Sequence, residues 1–247
     1  MPNQVDGTLR ATIEQWAEEL SGTVSAFLGK DCSFQVREVD KRIRVWESAD
    51  ERGIPLTING ETFLTLRVEY LCLWDSHSAF MAVDESKYEV WAGSGTNAEP
   101  LFRYNFLRSP GGSIPTSHLH VHAHRDAFTH VMSSAGRKSN RSKRLSKKKP
   151  GDPPRLSAIH FPLGGPRFRP CLEDLLESLQ DEFGLDTGPR WKDALSQGRA
   201  NWRRTQVRVV TRDAPEEAAQ TLRMLGYTVD PPDSGHASES IVRLTEL

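Results

Sequence analysis

The chain has little cysteine: Cys32, Cys72 and Cys171 in 247 residues, far apart and odd in number. That spacing excludes a disulfide framework and a paired-cysteine zinc knuckle. There is no run of about 18 apolar residues, the length a spanning helix needs, and no signal-type N-terminus. The expectation is a chain with no membrane partner in a reducing, cytoplasmic compartment. Charge of one sign is also missing. Lys and Arg number 32 against 33 Asp and Glu, a net charge of −1, which argues against a protein that coats nucleic acid over its whole surface. Gly-x-Ser-x-Gly, His-Glu-x-x-His and paired Cys-x-x-Cys motifs are absent. Gly164-Gly165-Pro166 is a turn rather than a phosphate loop, because no Lys-Ser/Thr follows it. No internal repeat occurs. The length suits one large or two small domains and can bury a substantial core.

What is present is a row of histidines. His118, His120, His122 and His124 are four of the chain's eight, placed at every second position. Alternate side chains of a strand share a face, so the four imidazoles form one row and Leu119, Val121 and Ala123 point the other way. Such a row can bind a metal, move protons, or hold a phosphate once charged. As a metal site it falls short. Neighbours on one face are about 6.5 Å apart, so two can share an ion but three splay too far. His77, His130, His160, Asp75 and the cysteines show no ligand spacing, and neither metal nor cofactor is expected. As a catalytic row it also matches the short His-apolar-His-apolar-His spelling of histidine-triad nucleotide hydrolases. The plainest alternative is a solvated face of an edge strand.

The surrounding pattern predicts an α+β fold: an antiparallel meander sheet with an N-terminal helix and a helical C-terminal part. Leu9, Ile13, Trp16, Leu20, Val24 and Phe27 recur at helical spacing over Leu9–Leu28, with Gly29 as terminator. Strands are expected at Ser33–Val39, Arg42–Glu47, a long central one over Phe63–Trp74, then Phe80–Val83, Tyr88–Trp91, Leu101–Phe106 and the histidine run. Ile58-Asn59-Gly60-Glu61 is a hairpin turn. A short strand follows at Leu156–Phe161. The C-terminal part opens with Pro170 in a first turn and the stripe Leu172, Leu175, Leu176, Leu179 and Phe183, closed by Gly184. A helix from Trp191 to about Gln206 has Gly198 as a weak point. Asp213-Ala214-Pro215-Glu216 resembles a capping box before a third helix that Gly226 closes. Two last strands are expected at Tyr227–Val229 and Ile241–Leu244. Residues 1–136 form the sheet part, 137–155 a loop, and 156–247 a strand and helices packed on the same core.

Arg137, Lys138, Arg141, Lys143, Arg144, Lys147, Lys148 and Lys149 fall in one segment without an acid. It has too little apolar surface to order itself and is expected to be a flexible loop. Its charge suits phosphates, each contact adding salt-dependent affinity without sequence information. An acidic protein suits it equally. Arg199, Arg203, Arg204 and Arg208 around Trp202 form a second basic cluster on a helix, with Trp202 in the core.

Leu101-Phe102-Arg103-Tyr104-Asn105, then Ser117-His118-Leu119-His120, then Phe161-Pro162-Leu163, Pro166 and Pro170 leading into the Leu172–Phe183 helix, follow one another in order. This order resembles the TumE-like bacterial toxins of toxin–antitoxin systems and spans residues 99–183. The chain differs from that pattern in its basic insertion, two further histidines and a longer C-terminal part. The resemblance implies an RNA-directed toxin or phage-defence component, with RNA and an antitoxin-like protein as partners. Metal-independent RNA cleavage needs a base for the 2′-OH, an acid for the leaving 5′-oxygen and a cation for the phosphorane charge. On that reading His118 and His120 supply base and acid, Arg103 clamps the phosphate, and Tyr104 stacks a base or donates a hydrogen bond. Two alternatives stay open: a non-catalytic binding or scaffold protein whose basic loop docks a partner, and a histidine-triad-like hydrolase.

Overall fold

The fold is taken from a computed structural model that describes residues 7–47, 53–75, 80–94, 99–109, 116–122, 127, 130, 131, 134, 169–235 and 238–245. The basic segment, His124, the Leu156–Phe161 stretch and Phe161-Pro162-Leu163 lie outside these. The chain divides into two units, Met1–Gly198 and Arg199–Leu247.

The first unit is α+β, as the hydropathy pattern requires. Helix α1 (Gly7–Leu28) buries Leu9, Ile13, Ala17, Leu20, Val24 and Phe27. It stops at Gly29, whose φ of 68° suits a residue without Cβ. Strands β1 (Phe34–Val39), β2 (Arg42–Glu47), β3 (Ile54–Ile58), β4 (Glu61–Trp74), β5 (Met81–Ala92), β6 (Phe102–Leu107) and β7 (Ser117–Val121) form one antiparallel sheet, in the order β1-β2-β4-β5-β6-β7. Both β2 and β3 pair with β4: β2 with Glu69–Cys72 and β3 with Glu61–Leu66. They lie end to end along β4, opposite β5. The β3–β4 turn has positive φ at Asn59 (54°) and Gly60 (83°), the backbone of a type I′ hairpin.

Tyr70, Val68, Leu66 and Leu64 of β4 lie in one alternating series with Val45 of β2, Tyr88 and Val90 of β5, Phe102 and Tyr104 of β6, and Leu119 and Val121 of β7. This face meets α1, where Trp16 packs edge-on against Tyr70 at 4.8 Å. It also meets helix α2 (Leu172–Phe183), whose Leu172, Leu175, Leu176, Leu179 and Phe183 join the same core. Each fully buried leucine or isoleucine here contributes about 2 kcal/mol. The opposite face carries the alternate, mostly polar residues.

Several sequence expectations are corrected. β5 is one strand rather than two short ones. The polar residues Asp84 and Glu85 stay in it because Arg42 Nη1 reaches both carboxylates, at 3.1 and 2.6 Å. Pro170 precedes α2 and Cys171 is its N-cap, with the Cys171 N–H donating to the Asp174 carboxylate at 3.2 Å. Gly198 lies inside a continuous helix. It is where α3 (Trp191–Asp213) passes Glu173 of α2 so closely that a Cβ would overlap the carboxylate.

The second unit begins within α3, which runs on past Gln206 because neither Gly nor Pro interrupts Arg199–Asp213. Asp213 therefore ends α3 and forms no capping box. Ala214 is the N-cap of α4 (Pro215–Met224), without a side-chain bond, and Pro215 opens the helix. Tyr227–Val229 is not a strand, and Ile241–Leu244 lies in a short helix, α5 (Ile241–Thr245). Trp202 is half-buried rather than in the core, and no described residue of this unit is buried.

Candidate functional site

The histidine strand is β7, paired with β6 in the register Asn105 to His118, Tyr104 to Leu119, and Arg103 to His120. Residues directly opposite in an antiparallel pair hold their Cβ atoms about 5 Å apart. Alternation then sorts the sequence candidates. His118, His120 and Arg103 share the polar face, with Asn105 among them. Tyr104 is on the other face, buried in the core beside Phe102 at 6.1 Å. Burial pushes its phenol well above the ordinary value. The structure therefore brings together three of the four residues expected to do chemistry and holds Tyr104 apart from them.

The two imidazoles meet edge to face, with ring centroids 4.8 Å apart. Asn105 Nδ2 and His118 Nε2 are 3.4 Å apart. Burial holds His120 below the ordinary imidazole value of 6.5, helped by the charge of Arg103 and by His118 and His122. His120 is therefore a neutral base at neutral pH. Arg103 is half-buried, and its Nε has no hydrogen-bond partner among the described residues, nor has Asn105 Oδ1. His122 has left the strand. Its Nδ1 lies 3.3 Å from Glu99 Oε2.

The register extends the site across the sheet. Arg67 of β4, Glu89 of β5, Arg103 and His120 form one transverse row, and Trp46, Glu69, Lys87, Asn105 and His118 form the next. Lys87 Nζ bonds Glu89 Oε1 at 2.7 Å. The guanidinium of Arg44 lies 4.8 Å from the ring of Trp46, and that of Arg67 lies 4.6 Å from Trp91. Sequence reading missed Asn105, Lys87, Glu89 and Arg67. Their alternation along β4, β5 and β6 was visible, but the register that aligns them with the histidines depends on loop lengths and cross-strand packing.

Chemically the cluster offers a neutral imidazole, a second imidazole at van der Waals distance, and a planar cation with a donor to spare. A tetrahedral phosphate has oxygens to match each. Among the described residues no three of His, Cys, Asp or Glu are grouped as a metal ion requires, and no helix is long and apolar enough to cross a membrane. The class defined is an α+β protein with a two-layer arrangement of sheet and helices, and an imidazole-bearing sheet edge. Comparison with protein-family models, with curated proteins and with solved structures finds no match to the chain.

Proposed function

We propose that this chain is an RNA-directed protein of the cytoplasm that cleaves phosphodiesters at the β6–β7 edge without a metal, as a toxin or phage-defence ribonuclease resembling the TumE-like group. The observation that carries this reading is the register that sets Arg103 opposite His120 and Asn105 opposite His118. His120, held neutral, takes the 2′-OH proton. The 2′-oxygen attacks phosphorus, Arg103 carries charge on the non-bridging oxygens, and His118 in its protonated form gives a proton to the leaving 5′-oxygen. A cyclic 2′,3′-phosphate and a 5′-hydroxyl result. Arg137, Lys138, Arg141, Lys143, Arg144, Lys147, Lys148 and Lys149 would add phosphate affinity.

The test is incubation of purified protein with a mixed RNA pool in excess chelator. New 5′-hydroxyl ends, lost in His118→Ala and His120→Ala, are expected. Binding without cleavage would leave the second reading, a scaffold protein, which the exposed apolar residues of Arg199–Leu247 favour. Hydrolysis of a dinucleoside phosphate with RNA left intact would point to histidine-triad-like chemistry.

A further inference from the structure

Among the described residues, nine of the ten large apolar side chains that stand exposed belong to Arg199–Leu247, among them Leu222, Met224, Leu225, Tyr227 and Ile241. Met224 is 88% and Leu225 70% exposed. Single exposed apolar residues are ordinary; their concentration in a unit with no buried described residue is not. A unit with no buried side chain among its described residues has little to offset the entropy of ordering its chain. Apolar cover from another molecule would supply that interior.

The charges indicate which molecule. Arg199, Arg203, Arg204, Arg208 and Arg212 stand on α3 with no acid between Arg199 and Arg212. The stretch 213–239 then has six acids, including Glu216, Glu217, Asp230 and Asp233, against the single arginine Arg223. A segment whose first part is basic and whose second part is acidic can be complementary to a second copy of itself across a twofold axis. A partner of one sign would match only half of it.

We propose that Arg199–Leu247 is a self-association unit. Two copies related by a twofold axis cover each other's apolar residues on α4 and α5, and the α3 arginines of each face the acidic stretch of the other. This does not rest on the RNA reading.

Analytical ultracentrifugation of the full chain tests it. The expected mass is twice that of the chain, falling to a single chain in the double variant Met224→Glu/Leu225→Glu. Both side chains already stand in water in one copy, so the variant keeps its fold, which circular dichroism checks. The pair Arg204→Glu/Arg208→Glu and the pair Glu217→Arg/Asp230→Arg should each weaken the dimer alone. Mixing the two variants should restore it, because the reversed charges then face each other. A wild type that sediments as one chain would overturn the proposal, as would a dimer that survives Met224→Glu/Leu225→Glu. Variants that fail to pair on mixing would overturn the choice of a second copy as partner.

Discussion

At the scale of single residues, the polar face and the core use side chains in opposite ways. On the polar face His120 is useful because it stays neutral. With His120 as base and His118 as acid, His120→Ala and His118→Ala should each slow RNA cleavage by about 10²–10⁴. His122→Ala should cost far less, since that ring is held by Glu99 beyond the end of the strand. The acid limb of the pH–rate profile should fall below pH 6.5, where His120 takes up its proton. Arg103→Lys keeps the charge but loses the planar fork and should still reduce turnover, read as kcat rather than KM. Among the buried groups, Glu47 titrates out of place within the working pH range. Burial raises its carboxyl to about 7, although the Val68 N–H donates to it at 2.7 Å. An unfolded glutamate titrates near 4.3. Between these values the folded chain holds a proton that the unfolded chain has released. Stability therefore falls as pH rises from about 4.3 to 7 and is level above, a loss of up to about 4 kcal/mol. Urea unfolding of Glu47→Gln at pH 5 and pH 8 should show the variant more stable than wild type at pH 8 and nearly insensitive to pH. An unchanged slope would remove Glu47 as its source.

At the scale of elements, close approaches decide what the helices may carry. Gly188 donates its N–H to Phe27 O at 2.9 Å, and a Cβ there would overlap Ala26 O and the Gly29 backbone. Gly188→Ala should destabilise the protein by about 1–3 kcal/mol, by over-packing this contact, measured as a shift in the urea midpoint with the same m-value. Nothing in the sequence around Gly188 announces that contact, whereas much else was legible. The α1 stripe, the Asn59-Gly60 turn and the β2 boundaries are periodic or turn signals that tertiary packing had no reason to overrule. β5 was misread because Asp84–Lys87 is polar, and the arginine that accommodates it comes from β2, some forty residues earlier. The last two segments were misread because short apolar runs such as Tyr227–Val229 satisfy strand and coil alike. At the candidate site, the period-two spacing was enough to put His118 and His120 on one face. It was enough, in principle, to separate Arg103 from Tyr104, since adjacent strand residues cannot share a face. Only the register could add Asn105, Lys87 and Glu89.

At the scale of the whole chain, charge is balanced in sum and unbalanced by segment. The eight cations within Arg137–Lys149 should contribute RNA affinity through counterion release, so replacing four of them with glutamine should weaken binding and reduce the slope of log K against log salt by about 3–4 units. Filter binding across a salt series measures it, and an unchanged slope would remove the segment from the interface. The pairing of the sheet has its own reach. β4 is bonded along one side by β3 and β2 in succession and along the other by β5, while β7 has β6 alone beside it among the described strands. Amide protons of β4 should therefore exchange with deuterium only when the whole unit opens, and those of β7 by local opening well before that. The histidines then sit on an edge of the described sheet, so a bound ligand should register first as slowed exchange at His118 and His120, whose amides face β6, ahead of any change at Val68.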